Sequence, residues 1–166
     1  MRVSNSGLVV LAVGNPSRGD DALGPLFLER LAELREQGGN WDGVELLTDF
    51  QLQIEHAVDL EGRALVLFVD ASVSCPPPYQ FTRLQPARDA SYTSHALSPA
   101  AVLHVYEQIH RAPPPSAFQL AIRGERFELG EPLSPAAAVN LTAALELAGR
   151  LLTRRDAGAW ERWAAG

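Results

Sequence analysis

The chain has 166 residues, 46% of them apolar and 20% charged, which suffices for one packed domain with no disulfide staple. Its 14 basic residues are all Arg, which removes Schiff-base lysines, pyridoxal-phosphate anchors and the P-loop lysine. A net charge of −6 with scattered Arg argues against a nucleic-acid partner, and the single Cys75 excludes an internal disulfide or a Cys-only metal cage.

In chain order, Leu8 to Val13 is a continuous apolar run ending at Gly14, the pattern of a strand buried on both faces. A polar loop, Asn15 to Asp21, leads into a helix over 23–37 that Gly38 and Gly39 stop. Val44 to Leu47 predicts a second strand, Leu52 to Leu60 a short helix, and Ala64 to Val69 a third strand ending on Asp70. Beyond the proline-rich 75–78, Tyr79 to Leu84 alternates like a half-exposed edge strand. Ser98 with Pro99, and Ser134 with Pro135, open two further helices with the same cap chemistry, and Phe118 to Ile122 between them reads as a strand. The tail 153–166 fits a short terminal helix or a frayed end.

Strands alternating with helices predict one α/β domain over 1–166: a three-layer arrangement with a twisted, mostly parallel sheet of about five strands and helices on both faces. The start of the chain lacks the pattern of a signal peptide, and no stretch approaches the ~18 apolar residues of a bilayer span. A cytoplasmic protein with no membrane partner is the expectation.

In such sheets, ligands sit outside the carboxyl ends of the strands. Two acid-bearing loops leave those ends. In the first, Gly14 and Gly19 have P-loop spacing, but Asp20 and Asp21 stand where Lys and Ser/Thr belong. Two carboxylates would repel a phosphate, so the loop suits a cation or a proton-transfer partner; capping of the next helix is the other reading. Asp70 follows a buried run, where a carboxylate needs a partner or serves as a turn residue. His95 lies in a polar string before the Ser98 cap, as a surface histidine or a ligand. Were Asp21, Asp70 and His95 to converge, the set would suit a borderline divalent ion such as Ni²⁺ or Zn²⁺. Cys75 reads as a packed or incidental thiol, His56, His104 and His110 lie on helix-like segments with no helical metal pair among them, and no G-x-S-x-G elbow is present.

Four blocks resemble one family. LVVLAVGNPSRGDDALGP (8–25), LVLFVDAS (65–72), SHALSPAAVL (94–103) and GEPLSPAAAVNLTAALELA (130–148) are similar, in order, to the motifs of the hydrogenase maturation endopeptidases. These enzymes remove a C-terminal peptide from the large subunit of [NiFe] hydrogenases after nickel insertion. The resemblance implies a hydrolase whose catalytic acids are Asp21 and Asp70. Asp21, Asp70 and His95 would contact nickel carried by the precursor, with no metal permanently bound, and Asn15 and Asp20 would stand behind them. Many members carry a glycine-rich segment where this chain has TDFQLQIEH (48–56). That place implies a part in recognising the cognate subunit, through Asp49, Gln51 and Gln53. Its Q-L-x-x-E pattern is similar to the NAD-linked soluble group. Two rivals stand beside the nickel-dependent protease: a metal-free acid protease using an Asp pair, and a non-catalytic assembly chaperone for the same subunit.

Overall fold

The computed structural model describes residues 7–89 and 97–164. Its centre is a five-stranded sheet of β1 (Gly7–Val13), β2 (Val44–Asp49), β3 (Arg63–Ser72), β4 (Tyr79–Leu84) and β5 (Ser116–Arg123), in the order β2-β1-β3-β5-β4. The first four in that order run parallel, and only β4 pairs antiparallel, along the edge of β5. This is the α/β sheet expected from the apolar runs. Central strands β1 and β3 are covered on both faces, so every position from Leu8 to Ala12 and from Leu65 to Val69 is buried.

Alternation along each strand sorts these side chains into two cores. Leu8, Val10, Leu65, Leu67, Leu120 and Ile122 face α1 (Leu23–Glu36), α3 (Pro135–Thr153) and α4 (Ala157–Trp163). Val9, Leu11, Val66 and Phe68 face α2 (Pro99–His110) and a 3-10 helix, Ile54–Leu60. Helix starts follow the cap chemistry: Ser98 accepts from the Ala101 amide, Ser134 from Ala137 and Asp156 from Ala159.

Two details differ from the sequence expectation. Strand β3 does not end at Asp70: Ala71 and Ser72 continue the ladder opposite Ile122 and Arg123. The helix expected over 52–60 is a 3-10 helix starting at Ile54, since Gln53 remains extended. The terminal tail takes the first of its two expected forms, the short helix α4, whose Trp160 is fully buried. Its ring meets Phe118 and Phe81 edge-on, and Nε1 donates to the Leu151 and Arg154 carbonyls at the end of α3. That indole bond anchors a seven-residue helix that could not persist alone.

Candidate active site

The carboxyl ends of β1, β2, β3 and β5 border a cavity of about 410 Å³. Val13, Gly14 and Asp21 come from the β1 end, Phe50, Gln51 and Leu52 from beyond β2, Asp70 and Ala71 from β3, and Gln119 from β5. Leu97, Ser98 and Pro99 close the wall at the start of α2.

Asp70 reaches the cavity by strand alternation. Val66 and Phe68 point toward α2, so Asp70 projects from the same face, two residues beyond the apolar core. There Gln119 Nε2 donates to Asp70 Oδ1 at 3.3 Å. Burial pushes the Asp70 carboxyl up to about 6; the Gln119 bond opposes that rise and the Asp21 carboxylate adds to it. A carboxyl titrating near 6 is a better proton acceptor than an ordinary aspartate and is still ionised at neutral pH.

Asp21 is placed by the loop after β1. Its Oδ2 accepts from the Asn15 amide at 2.8 Å, while its own amide donates to the Arg18 carbonyl. Close backbone approaches fix this loop. Gly14 adopts φ +148°, and a Cβ there would lie 2.0 Å from the Asp21 carbonyl oxygen. A Cβ at Gly24 would lie 2.2 Å from the Val13 carbonyl, so α1 starts directly against the end of β1. The Asn15 side chain turns back within the loop to accept from the Ser17 amide.

Asp20 faces the opposite way. It is fully buried and accepts from the Ser134 amide and hydroxyl and from the amides of Glu125 and Arg126, all within 3.0 Å. Burial alone would raise its pKa, but these four bonds outweigh it and hold the carboxyl below its ordinary value. Asp20 thereby clamps the Asp21 loop to the start of α3. Of the recognition candidates, Gln51 lines the cavity, whereas the Asp49 carboxylate accepts from the Phe50 amide and Gln53 caps the 3-10 helix. His95 lies outside the described residues. Among the described residues, no three His, Cys, Asp or Glu side chains form a group that could hold a metal.

The Ser98 hydroxyl at the cavity wall and the Cys75 thiol are already engaged. Ser98 Oγ caps α2 and donates to Asp89. Buried Cys75 turns its Sγ to the Ala121 carbonyl. What the cavity offers is a pair of carboxylates, one of raised pKa, suited to water activation or cation contact. Sequence reasoning passed over Gln119, a lone amide within the apolar run of β5 and the only direct hydrogen-bond partner of Asp70 among the described side chains. That interruption of the run was its signal.

No family model matches the chain, and neither does any curated protein. Solved structures do. The hydrogenase maturating endopeptidase HybD of E. coli is 25% identical over 89% of this chain and 93% of its own, with a TM-score of 0.69. The [NiFe] hydrogenase maturation protease HycI of Thermococcus kodakarensis is 23% identical over 90% and 94%, also at 0.69. A hydrogenase 2 maturation peptidase from a Thaumarchaeota archaeon is 21% identical over 89% and 98%, at 0.62. The fold is therefore that of an endopeptidase of the α/β class. Within that class, the chain is similar in fold to the hydrogenase maturation proteases over about nine-tenths of its length.

Proposed function

We propose that this endopeptidase acts in the cytoplasm on the large-subunit precursor of a [NiFe] hydrogenase, removing a C-terminal peptide once nickel is seated. The observation that carries the reading is the placement of Asp21, in the 3-10 turn after β1, and Asp70, on the adjacent parallel strand β3, on one cavity with Gln51 at its wall. Asp21, Asp70 and His95 supply two carboxylates and an imidazole to nickel held by the precursor, so that only a loaded substrate docks its scissile bond. Nickel is then part of the substrate and a recognition handle.

Water is the nucleophile. It adds to the scissile carbonyl carbon while Asp70 takes its proton; the C–N bond then breaks and the proton passes to the leaving amine. Asp70 suits this step better than Asp21 because burial and its neighbour have raised its affinity for a proton. Asp20 and Asn15 act behind the acids, by fixing the loop that carries Asp21. Gln51 contacts the chain near the scissile bond, and Asp49 and Gln53 act by shaping the segment that carries it.

Intact-mass measurement of the loaded precursor after incubation tests the reading. Loss of a short C-terminal peptide is expected. A stable complex with no mass change would instead identify the chaperone, and equal cutting of nickel-free precursor would identify an Asp-pair acid protease. His95→Ala is expected to fold and to leave the precursor uncut; full activity would remove His95 from the site.

A further inference from the structure

His56 has both ring nitrogens committed, and together they tie the two ends of the segment that borders the cavity. Nδ1 accepts from the Gln53 amide at 2.8 Å. A nitrogen that accepts an N–H carries no proton, so the imidazole proton sits on Nε2, which faces Asp49 Oδ2 at 3.3 Å. Asp49 Oδ1 accepts from the Phe50 amide at 2.7 Å, and the Asp49 carbonyl accepts from Gly14 at the end of β1. The Gln53 carbonyl returns the bond by accepting from the His56 amide at 3.0 Å. His56 itself is only 7% exposed.

The segment so held has an unusual surface. Leu52 is buried in the α2-side core, and its carbonyl accepts from the Leu97 amide. Phe50 and Ile54, on either side of it, are 65% and 60% exposed. A turn that is rigid, borders the cavity and presents two large apolar side chains to solvent is preorganised for an apolar contact, because no ordering entropy remains to be lost on binding.

We propose that His56 is a positioning residue: through Asp49 and Gln53 it holds Phe50 to Ile54 as a preformed recognition edge for apolar residues flanking the scissile bond of the precursor. The inference rests on the proposed function for its substrate, and on hydrogen bonds of the free protein for its mechanism. His56 touches no reacting atom, so its loss weakens docking and spares the chemical step.

Kinetics of precursor trimming by the wild type, His56→Ala and His56→Asn test it. The Asn carbonyl oxygen stands where Nδ1 stands and can accept from Gln53. His56→Ala is expected to raise KM about tenfold with kcat changed less than about twofold, and His56→Asn to recover most of that loss. A fall in kcat at unchanged KM, or an Asn variant no better than Ala, would overturn the proposal. Hydrogen exchange of the Phe50 to Gln53 amides is read on the free protein. It should quicken about tenfold in His56→Ala and much less in His56→Asn. Wild-type rates in His56→Ala would rule out the clamp whatever the enzyme cleaves. An uncut precursor with the wild type would count against the proposed function, and the exchange result would still decide the clamp.

Discussion

Gln119 on β5, opposite Phe68 in the ladder, reaches diagonally to Asp70 on β3, its amide nitrogen donating to the Asp70 carboxylate at 3.3 Å. That bond is the one contact that moderates the raised pKa of Asp70. Gln119→Leu removes it without adding charge, and the pKa of Asp70 should climb further. The acidic limb of the rate–pH profile should then shift to higher pH; an unmoved limb would show that Asp70 is not the group titrating there.

Asp70 also costs stability. Its folded pKa of about 6 lies above the ordinary 3.8, so at pH 7 the fold holds a carboxylate that burial disfavours. The penalty is absent below about pH 4, where both states are protonated, and complete above about pH 6. Asp70→Asn should therefore stabilise the fold at pH 7 by on the order of 1–3 kcal/mol while abolishing trimming. Urea unfolding at pH 7 and at pH 4 checks this: the gain should vanish at the lower pH.

Asp20 has the opposite sign. Four hydrogen bonds hold its pKa below 3.8, so its contribution is full above that value and is lost as pH falls through the lowered pKa. Asp20→Ala leaves buried donors of Glu125, Arg126 and Ser134 without their acceptor and should cost about 3–5 kcal/mol. The measurement is chemical denaturation at pH 7; a change under about 1 kcal/mol would mean that these donors find water.

Gly14→Ala tests the seat of Asp21. A Cβ 2.0 Å from the Asp21 carbonyl, on a backbone at φ +148°, must displace the loop. A lowered melting temperature together with loss of trimming is expected. Normal activity would mean that the loop yields without moving Asp21.

The strands were legible because β1 and β3 are buried on both faces and so read as unbroken apolar runs. Asp21 and Asp70 were legible as acids at carboxyl ends, but their meeting depends on β1 pairing with β3, which no local pattern in either strand encodes. Asp70 was read as a strand terminus; Ala71 and Ser72 carry no strong strand preference, and the ladder to β5 alone extends β3 past it. Asp20 could be capping or chemistry by sequence. The decision came from donors more than a hundred residues away. His56 looked like one more helical histidine, because its role lies in two ring bonds that close only when β2 ends at Asp49.

The central claim is that nickel in the precursor licenses cleavage at the Asp21–Asp70 cavity. Its most direct test is the intact mass of nickel-loaded and nickel-free precursor, each incubated with this protein under the same conditions. The account predicts loss of a C-terminal peptide from the loaded form alone. Cleavage of both forms at equal rates, or of neither, would contradict it.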